Sequence, residues 1–112
     1  FSGGSNYVDT LSALLNAPVD NFAIGGAKTD NTNVNVGLPG FTTEWQSFLA
    51  GGGPAAFPRT TGRFGPNDLL LISIGGNDAR DYQLRGGTQA GAAAAATTAA
   101  ANATTGLNAL VG

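Results

Sequence analysis

The run from Leu69 to Ile74, Leu-Leu-Leu-Ile-Ser-Ile, constrains the fold of this chain more than any other segment. Apolar and polar residues do not alternate in it, so it predicts a strand with apolar side chains on both faces. Such strands are typical of parallel sheets that helices cover on both sides. Residues 66–68 (Pro-Asn-Asp) precede the run and residues 75–78 (Gly-Gly-Asn-Asp) follow it. We therefore expect a buried strand that ends in a glycine-containing turn.

Apolar residues at helical spacing predict an amphipathic helix over residues 6–15. Ser5 or Asn6 is suited to cap its start, because both side chains can accept hydrogen bonds from backbone N–H groups. The short apolar run 22–24 (Phe-Ala-Ile) comes next. We interpret it as another strand, which leads into the glycine pair 25–26.

A second helix is predicted over residues 41–49, where aromatic and aliphatic residues again recur at helical spacing. Thr42 or Thr43 lies near its expected cap. The tail contains ten alanines within residues 90–103, and an apolar stripe continues to the end of the chain. Alanine is the best helix former, so the tail predicts a helix with small side chains that packs closely on a sheet. A flexible low-complexity segment over 86–98 is the alternative.

The predicted order is helix, strand, helix, strand, helix, which is typical of α/β proteins. Two parallel strands do not make a stable sheet by themselves. A strand that is apolar on both faces also needs neighbouring strands and two covering layers of helices. We therefore expect residues 1–112 to be the central fragment of one larger α/β domain with a parallel sheet.

Composition excludes several kinds of function. The chain has no Cys and no His, so it cannot assemble a thiol nucleophile, a zinc–thiolate site or a Ser–His pair from its own residues. A single Lys and a net charge of −2 argue against a nucleic-acid partner. No apolar run approaches the roughly 20 residues of a membrane helix. The carboxylates are dispersed along the sequence and form no cluster of oxygen ligands, which argues against a metal site.

Two glycine-containing segments carry the chemistry that the sequence offers. The turns after the two predicted strands present backbone N–H groups at Gly25 and Gly26 and a side-chain NH₂ at Asn77. Two such donors that converge on one oxygen form an oxyanion hole. From spacing alone, the favoured interpretation is an ordinary turn with Asp78 capping the next helix. Asp78 and Asp81 are accordingly expected to mark a helix start with local salt bridging.

These segments resemble two of the four sequence blocks of the SGNH hydrolases in the GDSL esterase/lipase family. Residues 21–29 (Asn-Phe-Ala-Ile-Gly-Gly-Ala-Lys-Thr) resemble the second block, which supplies an oxyanion-hole glycine. Residues 75–78 resemble the third block, Gly-x-Asn-Asp, which supplies an oxyanion-hole asparagine. The resemblance implies that Gly26, with Gly25 as the alternative, and Asn77 are the two donors. It also implies a three-layer, flavodoxin-like fold.

Two further stretches extend the resemblance. Residues 1–4 and the helix after them resemble the part of the family between the first two blocks, and residues 37–40 resemble its autotransporter-type esterases. The family's Gly-Asp-Ser and Asp-x-x-His motifs do not occur in the chain. The resemblance therefore implies a nucleophile and a base outside these residues, and we expect the chain alone to be inactive.

The function that the resemblance implies is hydrolysis of carboxylic esters, of a lipid or an acylated small molecule, by a secreted or cell-surface enzyme. It implies no metal and no organic cofactor, and the remaining fragments of the same domain would be partners of this one. A non-catalytic surface or binding module of an extracellular passenger protein is the alternative. A degenerate SGNH fold that is used only for binding is a third interpretation.

Overall fold

The computed structural model describes residues 5–53 and 57–112; residues 1–4, which contribute to the family resemblance, lie outside it. The described residues form four helices: α1 (Tyr7–Leu15), α2 (Phe41–Leu49), α3 (Gly76–Leu84) and α4 (Gln89–Val111). Their β structure is limited to two isolated antiparallel bridges, Ala27 with Asn33 and Gly52 with Arg59. The prediction of an α/β fold with a parallel, flavodoxin-like sheet is therefore wrong.

Neither predicted strand forms in the described part of the chain. Residues 69–74 have no regular secondary structure, and Leu69, Leu71 and Ile72 are 61%, 43% and 39% exposed rather than buried. Residues 22–24 also lack regular structure. A strand persists only where a neighbour takes up its backbone N–H and C=O groups. Neither segment finds such a neighbour among these residues, although both have the composition of a strand.

Helix α1 confirms the first predicted helix, and Asn6 rather than Ser5 is its cap. The Asn6 side chain accepts hydrogen bonds from Val8 N and Asp9 N, while the Asp9 carboxylate accepts one from Asn6 N, which completes a capping box. Asn16, in the left-handed conformation (φ 49°), ends the helix. Within the described ranges α1 packs against none of the other helices, so much of its apolar face remains exposed.

Helix α2 confirms the second predicted helix, but its cap differs from the expectation. Gly40 occupies the cap position and has no side chain, whereas Thr42 and Thr43 lie inside the helix. Residues 28–31 supply the acceptors for the first backbone donors of the helix. These are Lys28 O for Phe41 N (2.9 Å), Asp30 O for Thr42 N (3.2 Å) and Asn31 Oδ1 for Thr43 N (3.1 Å). The loop before α2 is thus attached to the helix start.

Helix α4 confirms the helical interpretation of the alanine-rich tail. It begins after Thr88, whose hydroxyl accepts a hydrogen bond from Gly91 N, so the flexible alternative for residues 86–98 is wrong for residues 89–98. The helix packs against α2 and α3 rather than against a sheet. Gly106 is buried at the contact with α2, where a Cβ would lie 2.6 Å from Phe41 Cε1 and 2.7 Å from Trp45 Cδ1.

A cluster of phenylalanine rings, which includes Phe48 of α2, forms a second packed region in addition to the contact between α2 and α4. Ring centroids lie 5.6 Å apart for Phe22 and Phe48, 5.2 Å for Phe22 and Phe57, and 4.6 Å for Phe48 and Phe64. The Cα radius of gyration is 15.2 Å, whereas a compact domain of this length would have about 13 Å. The described residues thus pack around two small clusters. None of their helices combines the length and the apolar character needed to cross a lipid bilayer.

Candidate functional site

The first half of the candidate site is the glycine turn, defined here as residues 25–29. Gly26 has φ +83°, a left-handed conformation that favours glycine. A Cβ at Gly26 would lie 2.5 Å from both Asn33 Oδ1 and Asn35 Nδ2. Asn33 Nδ2 holds the turn by donating to Gly25 O (3.0 Å) and to Pro39 O (2.9 Å). Only glycine fits position 26 without a shift in its neighbours.

The carbonyl groups and the N–H groups of the glycine pair have different surroundings. Gly26 O accepts a hydrogen bond from Val34 N at 3.0 Å, and Gly25 O accepts from Asn33. Neither Gly25 N–H nor Gly26 N–H donates to any acceptor within the two described ranges. Within this part of the chain, both backbone donors are therefore without a protein acceptor.

The second half of the site is the first turn of α3. Gly75, with φ +105°, precedes the helix, and Asn77 and Asp78 follow in its first turn. Asn77 Nδ2 donates a hydrogen bond of 3.0 Å to Ala27 O, which belongs to the glycine turn. A side-chain amide carries two N–H donors. The second one has no acceptor among the residues described, so one N–H of the Asn77 amide remains without a protein partner there.

Asp78 binds the glycine turn instead of capping its own helix, so its predicted role as a cap is wrong. Its carboxylate accepts from Thr29 Oγ1 at 2.6 Å and from Thr29 N, which lies 3.0 Å from Oδ2 and 3.2 Å from Oδ1. Thr29 is 2% exposed. A buried hydroxyl and a buried N–H require acceptors, and Asp78 supplies them.

Asp81 adds an ion pair to the same contact. Its Oδ2 lies 2.9 Å from Lys28 Nζ, and its Oδ1 lies 2.9 Å from Arg85 Nε, one turn later in α3. These two hydrogen bonds hold the pKa of the Asp81 carboxyl below its usual range, and the bond from Arg85 has the larger effect. The expected local salt bridging is thus confirmed for Asp81 with Arg85, whereas the helix itself starts five residues earlier, at Gly76.

Glu44 supports the segment that leads into the glycine turn. Its Oε1 accepts a hydrogen bond from Ile24 N at 2.7 Å, which ties α2 to the residue before the glycine pair. Burial raises the pKa of the Glu44 carboxyl, and the hydrogen bond from Ile24 N only partly offsets that effect. The glycine turn is therefore held by α2 on one side and by α3 on the other.

The chemistry that this arrangement can perform is hydrogen-bond donation to an oxygen. The backbone N–H of Gly26 and the amide of Asn77 lie in segments that contact each other, although 50 residues separate Ala27 from Asn77 in sequence. The chain has no histidine that could act as a base. The described residues contain no group of three or more side chains suited to hold a metal ion.

Comparison with known proteins gives no relative: no protein-family model, no curated protein and no solved structure matches the chain. Sequence reasoning singled out Gly26 and Asn77, but it missed the roles of Lys28 and Thr29. The signal that could have found them is complementarity, because a Lys-Thr pair follows one glycine pair and two aspartates follow the other. That pairing depends on a tertiary contact that no local pattern specifies.

Proposed function

We propose that this chain forms the oxyanion-binding part of a serine ester hydrolase of the SGNH type. The N–H of Gly26 and the side-chain amide of Asn77 are the two donors in this proposal. Negative charge develops on the carbonyl oxygen as an ester is attacked, and fixed donors aimed at that oxygen lower the barrier. The observation that carries the proposal is the hydrogen bond from Asn77 Nδ2 to Ala27 O, which joins the two donor-bearing segments.

The proposal requires that further polypeptide supply the rest of the catalytic machinery. A serine nucleophile needs a histidine base and a carboxylate that orients it, and this chain has neither a histidine nor a Gly-Asp-Ser motif. The exposed apolar side chains of Leu69, Leu71 and Ile72 support the presence of additional packing partners, since exposed apolar patches mark contact surfaces. This mechanism uses no metal and no organic cofactor.

The substrate in this proposal is a carboxylic ester of a lipid or of an acylated small molecule, and the site of action is secreted or at the cell surface. These 112 residues include no cysteine, so they can provide neither a thiol nucleophile nor a disulfide. Ester hydrolysis by a serine nucleophile needs only the donors described above and the missing triad.

The test begins with the polypeptide that contains these 112 residues together with their natural flanking sequence. Hydrolysis of p-nitrophenyl acetate and butyrate is measured, and a fluorophosphonate probe labels the nucleophilic serine. We expect both activities, and Asn77→Ala should lower kcat by about 10²- to 10³-fold, as loss of one oxyanion donor commonly does. Gln83→Ala, at an exposed position in the same helix, is the matched control and should retain full activity.

Two results contradict the proposal. One is a polypeptide that neither hydrolyses the esters nor reacts with the probe, which would favour a non-catalytic surface or binding module. The other is a folded Asn77→Ala protein, verified by circular dichroism, that loses less than threefold in kcat. The 112-residue chain alone should hydrolyse neither ester above background, because it contains no base for the serine.

A further inference from the structure

We propose that Asp78 is a positioning residue, which acts through Thr29 to set the Gly26 N–H and the Asn77 amide in one fixed relation. The inference rests on the proposed function for its catalytic consequence. Its structural part, the dependence of the Asn77 side-chain position on the Asp78 carboxylate, can be measured without any substrate.

The contact between the glycine turn and α3 involves three consecutive residues of the turn, which meet three different residues of the helix. Ala27 O accepts from Asn77 Nδ2 at 3.0 Å, and the N–H and hydroxyl of Thr29 donate to the Asp78 carboxylate. Lys28, between them, pairs with Asp81, about one turn farther along the helix. A single hydrogen bond would leave the turn free to rotate about it, whereas attachment at neighbouring points fixes its orientation.

The Thr29 end of this contact is more shielded from water than the Lys28–Asp81 ion pair. Thr29 is 2% exposed, while Lys28 and Asp81 side chains are 17% and 20% exposed. Hydrogen bonds to a charged group in a buried position are the strong ones. This bond anchors Thr29, the last residue of the glycine turn, which lies three residues after Gly26 and its proposed donor N–H.

A carboxylate is the group that this contact requires. It can accept from Thr29 N and from Thr29 Oγ1 at the same time, and it presents no N–H group to either donor. Asp78→Asn keeps the shape of the side chain but replaces one acceptor oxygen with an NH₂ that would face a donor. The substitution should therefore release the turn without opening a cavity.

The kinetic experiment compares Asp78→Asn with Asp20→Asn in the polypeptide that carries the whole active site. Asp20 is exposed, and its substitution changes the net charge by the same amount. Asp78→Asn should lower kcat by about 10- to 100-fold with KM changed by less than about threefold, because displacement of catalytic groups by about 1 Å has effects of this size. Asp20→Asn should leave both constants unchanged.

The spectroscopic experiment follows the Asn77 side-chain NH₂ resonances of the same ¹⁵N-labelled proteins. In the wild type, the Asn77 amide proton that is hydrogen-bonded to Ala27 O should have a chemical shift different from that of the other amide proton, and it should exchange slowly with solvent. Asp78→Asn should bring the two resonances together and speed their exchange by tenfold or more, while Asp20→Asn should not. Unchanged resonances in Asp78→Asn would overturn the inference, whatever the activity.

The outcomes separate the two proposals. If the wild type hydrolyses esters and Asn77→Ala is impaired but Asp78→Asn is not, the positioning role is wrong and the proposed function stands. If the wild type hydrolyses nothing, the proposed function is wrong, and the Asn77 resonances alone decide whether Asp78 positions that side chain.

Discussion

Thr29 and Asp78, which are 49 residues apart in sequence, are joined by a hydroxyl–carboxylate hydrogen bond of 2.6 Å and by a backbone N–H that donates to the same carboxylate. This contact connects the end of the glycine turn to the first turn of α3. Because Thr29 is buried, the pair contributes to stability as well as to the geometry of the candidate site.

Thr29→Val tests the stabilising part of that contact. Valine has nearly the shape of threonine but no hydroxyl, so one donor to the Asp78 carboxylate is lost. We expect the free energy of unfolding in urea to fall by about 1–3 kcal/mol. Thr98→Val, at an exposed position in α4, serves as the control and should change stability by less than about 0.5 kcal/mol. Equal effects at the two positions would contradict the interpretation.

Gly26→Ala tests whether the glycine turn needs glycine for space as well as for conformation. An L-residue in the left-handed region costs roughly 1–2 kcal/mol. Gly37→Ala measures the cost of the left-handed conformation alone, because Gly37 has φ +86° and a Cβ there would meet nothing within 4 Å. At Gly26 the same methyl group would press on Asn33 and Asn35. Thermal unfolding should therefore show a larger fall in Tm for Gly26→Ala, and similar falls would refute the steric argument.

Gly106→Ala tests the close contact between α4 and α2. Alanine gains about 1 kcal/mol over glycine in a helix, but overpacking a tight site costs about 1–3 kcal/mol. The new Cβ would lie 2.6 Å from Phe41 Cε1 and 2.9 Å from Trp45 Nε1, so the cost should exceed the gain. We expect thermal unfolding to show a net loss of stability of up to about 2 kcal/mol.

The matched control for that substitution is Gly76→Ala. Gly76 is also helical, and a Cβ there would meet nothing within 4 Å. The substitution should be neutral or stabilising by up to about 1 kcal/mol. A stabilising Gly106→Ala would mean that the rings of Phe41 and Trp45 move apart without penalty.

Glu44→Gln tests the pH dependence of stability at the segment before the glycine turn. Burial raises the pKa of Glu44 in the folded protein, so the folded state binds this proton more tightly than the unfolded state does. Stability from this group is then present at low pH and lost as the pH rises through the raised pKa. Glutamine is uncharged at every pH and keeps an oxygen that can accept from Ile24 N.

The expected result is a higher Tm for Glu44→Gln than for the wild type at pH 7, with the difference shrinking below about pH 4, where the unfolded glutamate is also protonated. Glu44→Ala removes the acceptor for Ile24 N and should lower Tm at both pH values. A Glu44→Gln protein that is less stable than the wild type at pH 7 would show that the carboxylate charge is favourable there.

The candidate site could be only partly predicted. Gly26 and Asn77 stand out because each belongs to a glycine-containing turn of recognisable pattern. The structure brings their segments together through a turn-to-helix contact rather than at the edge of a sheet. Their role as oxyanion donors stays a prediction. The partners of Asp78 and Asp81 could not be predicted, because Thr29 and Lys28 are distant in sequence.

The sequence by itself determined the elements whose stability is local. Asn6 and Asp9 form a capping box within one turn, and the alanines of α4 favour a helix at each position, so neither element needs a distant partner to be recognised. The extended segments depend on non-local pairing. Residues 69–74 have the composition of a buried strand, but strand formation requires neighbours for the backbone, and only the tertiary structure decides whether those exist. The start of α2, held by Asn31, and the contact between Thr29 and Asp78 are likewise tertiary, because each acceptor reaches its donor only after the chain has folded back.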